Sequence, residues 1–69
     1  MANQLVKIRR NKKDHYYLVD DITINNGYLT FHILDKLYVY EMSFLAYATT
    51  PNADLVDCTR LKLVDVIDT

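Results

Sequence analysis

A short Asn/Gly segment between two alternating apolar runs is the feature that most constrains the fold of this chain. Asn25–Gly27 separates a run over residues 21–24 from a longer run over 28–34. In both runs apolar and polar residues alternate, which is the period of a β-strand with one buried face. Asn and Gly accept the positive φ angles that tight hairpin turns require. The segment therefore predicts a β-hairpin, with an inward-facing set on its second strand of Leu29, Phe31 and Ile33.

Further stretches rich in β-forming residues extend this hairpin to an all-β prediction. A first strand is expected over 5–9, and a second from residue 15 toward 24, with a bulge or bend at 20–21. Two more strands are expected over 37–42 and 60–67. Short connections between sequential strands favour a small antiparallel meander, curled into an SH3-like or OB-like barrel or half-barrel.

Two stretches near the C-terminus carry weaker signals. Residues 43–50 fit either a strand continuation or a helical turn, because the span is too short for periodicity to decide. At most one short helical turn is expected over 51–56, since Thr50 can cap it and Pro51 suits a first helical position. The alternation of the last strand changes phase at 63–64, which predicts a bulge. Residues 1–69 are expected to form a single small β domain.

The small size of the chain predicts self-association. A domain of 69 residues buries a modest core and usually needs a disulfide, a metal or a partner subunit. Cys58 is the only cysteine, so no disulfide can form within the chain. Together with His15 and His32 it shows none of the close spacings of metal ligands. We therefore expect a homodimer with no metal and no cofactor.

Positive charge is concentrated at the N-terminus. Residues 1–13 carry five basic residues and no acid, whereas residues 14–69 carry three basic residues against nine acids, a charge of −6. Such a segment can bind nucleic acid, or it can be a basic edge strand beside acidic neighbours in its own or a partner's sheet. The candidate phosphate-binding residues are Lys7, Arg9, Arg10, Lys12 and Lys13.

The N-terminal sequence also bears on location. It lacks the apolar stretch of a secretory signal, and the apolar runs elsewhere are too short to span a membrane. A lone cysteine is typical of a reducing compartment. We expect a cytoplasmic protein, of a bacterial cell or a phage-infected host, with no membrane partner.

No catalytic constellation stands out. His15 and His32 are candidate general bases, and Ser43 or Cys58 would be the nucleophile. The chain has neither a Gly-rich nucleophile elbow nor a phosphate-binding loop. The sequence therefore predicts no catalytic residue, and a protein that is not an enzyme.

Tyrosines provide the main candidate for a binding surface. If Leu37 and Val39 face inward, the outward face of the neighbouring strands carries a set of aromatic side chains suited to an interface. That set is Tyr28, His32, Tyr38 and Tyr40. In the alternative register the tyrosines pack in the core of the curled sheet. The sequence leaves both arrangements open.

These observations predict a non-catalytic protein-binding module that engages a host or cellular protein through its aromatic face. Small proteins of this design are often carried by phages or mobile elements, where they inhibit a host protein by covering its working surface. The alternative is a small β-barrel nucleic-acid-binding protein. It would hold phosphates with the basic N-terminal segment and stack bases on surface tyrosines.

Overall fold

The computed structural model describes residues 4–42 and 55–69, which form seven β-strands and one short 3-10 turn, Cys58–Arg60. The strands are β1 (Gln4–Arg10), β2 (Lys13–Val19), β3 (Thr23–Asn25), β4 (Tyr28–Ile33), β5 (Lys36–Glu41), β6 (Leu55–Asp57) and β7 (Lys62–Asp68). The all-β prediction is therefore confirmed for this part of the chain. In the same residues no helix is long and apolar enough to cross a membrane.

The strands lie in two sheets. Sheet A has the order β2-β1-β6, in which β1 and β2 form an antiparallel hairpin and β6 runs parallel to β1. Sheet B has the order β3-β4-β5-β7 and is antiparallel throughout. Over residues 4–42 and 55–69 no strand pairs with both sheets, so these strands do not close into a barrel.

The hairpin predicted from Asn25–Gly27 is present as β3 and β4. Asn25 pairs with Tyr28, and the two residues between them, Asn26 and Gly27, have φ angles of 55° and 82°. Two consecutive positive φ angles match the right-handed twist of the strands that they join. The predicted inward set is also confirmed, because Leu29, Phe31 and Ile33 are all buried.

The expected second strand is shorter than predicted. It ends at Val19, and the chain then crosses from sheet A to sheet B over residues 20–22. The bend expected at 20–21 is thus a change of sheet. At this bend the Asp21 carboxylate turns toward β4 and accepts the backbone N–H of His32 at 3.1 Å.

Of the two orientations left open for β5, the structure has the one in which its tyrosines face the core. Tyr38 and Tyr40 are buried, with 7% and 4% of their surface exposed, whereas Leu37 and Val39 are only partly buried. The reason is the length of the β4–β5 turn, because two residues connect the paired Ile33 and Lys36. Such a turn places odd-numbered residues opposite even-numbered ones, and directly opposed residues share a face of the sheet. The inward face therefore continues from Phe31 to Tyr38 and from Leu29 to Tyr40.

The C-terminal predictions are confirmed in part. Tyr40 pairs with Leu63 while Val39 pairs with Asp65, so Val64 is the extra residue of the predicted bulge. The helical turn allowed over 51–56 does not include Leu55 and Val56, which are in a strand, and a 3-10 turn begins at Cys58. There the Asp57 carboxylate accepts the backbone N–H of Thr59 at 3.0 Å. The predictions for 43–50 and 51–54 lie outside the described residues.

Both sheets contribute to the core. Its centre is Phe31, which stacks on Tyr38 and on Tyr40 with ring centroids 5.8 Å apart in each case. Side chains from β1, β6 and the 3-10 turn pack from sheet A. The buried set in the described part of the chain is Val6, Ile8, Val19, Leu29, Phe31, Ile33, Tyr38, Tyr40, Met42, Val56 and Cys58.

Candidate binding surfaces

The expected aromatic face divides between the two sides of sheet B. Tyr28 and His32 lie on the outer face and are exposed, whereas Tyr38 and Tyr40 lie on the inner face against Phe31. Burial raises the pKa of Tyr40 well above its ordinary value, so its hydroxyl stays neutral. Tyr38 and Tyr40 thus follow the core alternative and are not part of an outward aromatic cluster.

The two outward members do not form a cluster of their own. Tyr28 and His32 are four residues apart on one strand, which corresponds to about 13 Å. Thr30 lies between them, and its hydroxyl is 2.6 Å from that of Thr23 on β3. Across the sheet His32 is level with Leu37 of β5. The outer face of sheet B therefore carries aromatic, polar and apolar side chains in alternation and has no aromatic cluster at these positions.

His32 is held by Asp21, a contact that the sequence did not indicate. The Asp21 carboxylate accepts the backbone N–H of His32 and also hydrogen-bonds with Nδ1 of its ring. Partial burial raises the pKa of Asp21, but the hydrogen bonds from His32 outweigh it, so the pKa lies below its ordinary value. The pair ties the crossover between the sheets to β4.

The predicted basic segment forms the β1–β2 hairpin, and its five residues do not share one face. Lys7 and Arg9 lie on the outer face of sheet A beside Asp14, with N–O distances of 3.6 and 2.9 Å. The hydrogen bond from Arg9 lowers the pKa of Asp14. Arg10 instead donates to the Tyr17 hydroxyl at 3.0 Å, on the opposite face.

Positive charge is most concentrated at the tip of this hairpin. Lys12 lies in the two-residue turn, where Asn11 and Lys12 have φ angles of 53° and 65°. Arg10 and Lys13 are the paired residues that flank the turn, and all of these side chains are exposed. The tip therefore presents Arg10, Lys12 and Lys13 to solvent. The other two basic residues, Lys7 and Arg9, both contact Asp14.

The outer face of sheet A carries an apolar surface that the sequence analysis missed. Leu5 of β1 is paired with Leu18 of β2 on one side and with Leu55 of β6 on the other. These three side chains form a line across all three strands, which we call the leucine row. Leu18 is 67% exposed and Leu55 is also exposed, whereas Leu5 is partly buried between them.

Tyr16 extends this surface by one position. It is 54% exposed, is paired with Lys7, and lies under the Lys7 ammonium with 5.9 Å between Nζ and the ring centroid. On the far side of Lys7 the sheet continues to Asp57. The surface is thus apolar along the leucine row and Tyr16. The next positions of β1 and β6, Lys7 and Asp57, are charged and border it.

In the part of the chain that the structure describes, His15, His32 and Cys58 form no hydrogen bond or ion pair with one another. Cys58 is buried, which raises the pKa of its thiol to about 12 and disfavours the thiolate nucleophile. His15 stacks on Tyr17 with ring centroids 6.4 Å apart. Ser43 lies outside the described residues. Across 4–42 and 55–69, no group of three or more His, Cys, Asp or Glu side chains could hold a metal ion.

Comparison of the chain with protein-family models, with curated proteins and with solved structures finds no match in any of the three.

Proposed function

We propose that this chain is a non-catalytic protein-binding module whose interface is centred on the leucine row and Tyr16. The observation that carries this proposal is the exposure of these apolar side chains side by side on one sheet face. Contiguous apolar surface of this kind, with a polar border, is typical of protein–protein contact. Tyr16 adds a large ring with few rotatable bonds, which is a common property of residues that dominate interface energy.

The charges beside this surface favour a particular partner. Arg9 and the basic hairpin tip lie beyond one end of the apolar surface, on the same hairpin as Leu5, Leu18 and Tyr16. A partner surface with an apolar centre and acidic groups at that border would complement both features. We therefore expect the chain to bind an acidic, partly apolar patch of a host or cellular protein.

More specifically, we propose that the chain inhibits its target protein by contact. A small module of this kind, as carried by phages or mobile elements, alters its target by occupying the surface that the target needs. In this view the two sheets act as an SH3-like or OB-like half-barrel that presents its outer surface. The identity of the target follows from capture experiments.

The test is affinity capture of the tagged chain from a native host lysate, with and without nuclease treatment. Wild type is compared with Leu18→Asp, which places a charge in the leucine row. The matched control is Leu34→Asp, because Leu34 is 94% exposed in the β4–β5 turn of the other sheet. We expect one nuclease-resistant protein partner with wild type and Leu34→Asp, and its loss with Leu18→Asp. Equal capture by all three proteins would contradict the proposed interface.

Nucleic-acid binding is the second candidate, and the hairpin tip is the observation that favours it. Arg10, Lys12 and Lys13 are exposed around one turn, in the same hairpin as the exposed ring of Tyr16. Such a tip can contact phosphates while an aromatic side chain stacks on a base. Recovery of nucleic acid alone in the capture experiment, abolished by nuclease, would favour this function over protein binding.

A further inference from the structure

The turn between β3 and β4 carries a chemically labile pair of residues. Asn26 is exposed, and Gly27 follows it as the second residue of the turn. Asparagine is thermolabile, because its side-chain amide can react with the backbone nitrogen of the next residue. Glycine in that next position leaves the nitrogen accessible, since it has no Cβ. Among the described residues, only the chain neighbours of Gly27 have heavy atoms within 4 Å of the place a Cβ would take.

A second turn of the same chain provides an internal comparison. In the β1–β2 turn, Asn11 and Lys12 have φ angles of 53° and 65°, close to the 55° and 82° of Asn26 and Gly27. Asn11 is exposed as Asn26 is. The residue that follows it, however, has a long side chain that crowds the backbone nitrogen. The two asparagines thus share a turn position and differ in the residue that comes next.

The two hairpins also differ in the contacts that hold them closed. The β3–β4 hairpin has three residue pairs, and β3 is an edge strand of sheet B. The β1–β2 hairpin has seven pairs, with the Arg9–Asp14 and Arg10–Tyr17 contacts next to its turn. Local opening costs less free energy where fewer contacts are broken. The turn that contains Asn26 therefore opens more readily than the turn that contains Asn11.

We propose that Asn26 is a site of spontaneous deamidation, and that opening of the β3–β4 hairpin limits the rate. The Gly27 nitrogen loses its proton to solvent base and bonds to the side-chain carbonyl carbon of Asn26, and ammonia leaves. Water then opens the resulting succinimide to aspartate or isoaspartate, with no oxidation or reduction. Ring closure needs both atoms on the same side of the Asn26 Cα–C bond, and the left-handed conformation of the closed turn holds them apart.

The two products have different consequences for sheet B. Aspartate leaves the main chain unchanged, so the hairpin is kept. Isoaspartate adds a carbon to the main chain, in a turn whose two-residue length sets the pairing of Asn25 with Tyr28. We expect the separated isoaspartyl product to exchange the amide hydrogens of Thr23–Asn25 faster than the aspartyl product. Equal exchange in the two products would contradict this consequence.

Mass spectrometry of peptides from the folded chain, incubated for weeks at mildly alkaline pH, measures conversion at each asparagine. Asn26 should convert at least about tenfold faster than Asn11, a ratio that corresponds to only about 1.4 kcal/mol. Asn26→Asp is the control, because it keeps the turn and has no amide to lose at this position. Equal rates at the two asparagines, or no conversion at Asn26, would overturn the proposal.

One substitution separates the effect of the following glycine from that of hairpin opening. Lys12→Gly gives Asn11 the same following residue as Asn26, inside the longer hairpin, and Gly suits the positive φ there. In the folded variant Asn11 should still convert more slowly than Asn26, and in concentrated urea the two rates should become similar. Equal rates in the folded variant, or an Asn26 rate that urea does not raise, would overturn control by opening.

Discussion

Phe31 is the residue on which the core of this small domain most depends. It is fully buried, and its ring stacks on two tyrosines from the neighbouring strand. Removing it would leave a cavity that both Tyr38 and Tyr40 line. Since offset aromatic contacts add to the energy of burial, these three rings stabilise the inner face of sheet B together.

We therefore expect Phe31→Ala to lower the free energy of unfolding by about 3–5 kcal/mol, a large part of the stability of a domain of this size. Urea denaturation followed by circular dichroism measures this change. Phe31→Leu, which keeps more of the volume, should cost less. An unchanged midpoint for Phe31→Ala would show that the inward register of β4 is wrong.

Leu34 is under backbone strain that a single substitution can relieve. It has a φ of 57°, and its side chain is almost fully exposed in the β4–β5 turn, so it contributes little packing. A left-handed conformation is costly for residues with a Cβ and easy for Gly. We expect Leu34→Gly to stabilise the protein by about 0.5–1 kcal/mol. Thermal unfolding tests this, with Leu34→Ala as the control that keeps the Cβ; a melting temperature lowered by the Gly variant would contradict the assignment.

At the residue level, the sequence predicted the inward side of β4 and left the inward side of β5 open. Leu29, Phe31 and Ile33 follow from alternation alone, because one face of that strand is buried along its length. The inward side of β5 depends on the number of residues in the preceding turn. That turn contains Leu34 in a conformation that leucine rarely adopts.

At the scale of elements, the connection between β2 and β3 is the feature that converts a predicted meander into two sheets. The sequence predicted a bend at Asp20-Asp21. It did not predict that the chain would pass from one sheet to the other there. The stabilising contact joins Asp21 to His32, eleven positions apart. Neighbouring residues and period-2 patterns carry no information about such a contact.

This connection should make stability depend on pH in a defined range. The pKa of Asp21 lies below its ordinary 3.8, so its carboxylate stabilises the fold above that pH, and the contribution is lost as the pH falls through the lowered value. Wild type should thus be more stable than Asp21→Asn at neutral pH, and the difference should vanish well below pH 3.8. Denaturation at several pH values measures this, with Asp20→Asn as the control. A difference that persists unchanged in strong acid would contradict it.

Adjacent apolar residues in the sequence could have predicted the leucine row. Leu5-Val6 and Leu18-Val19 are adjacent apolar pairs within strands, and one member of each pair must face outward when its neighbour is buried. The predicted surface was instead built on tyrosines, of which Tyr38 and Tyr40 are internal. That Leu5 meets Leu55 depends on the parallel pairing of β1 with β6, which short-range patterns cannot predict.

At the scale of the whole molecule, the two sheets share one core and leave different surfaces available. Sheet A presents the leucine row and the basic hairpin, and sheet B presents the exposed apolar residues of β7. In the function proposed above, the leucine row and Tyr16 bind a protein partner, and this contact depends on apolar burial more than on the basic charges.

The most direct test of that claim is the Kd for the captured partner at about 0.1 and about 0.5 M salt, where exposed charges are screened to different extents. Wild type is compared with Leu18→Asp and with a variant that neutralises Arg10, Lys12 and Lys13. We expect a weak salt dependence, with the larger loss of affinity in Leu18→Asp. If binding used three phosphate contacts, this increase in salt would weaken it roughly 80-fold. Such a drop, together with full affinity in Leu18→Asp and loss in the neutralised variant, would contradict the account.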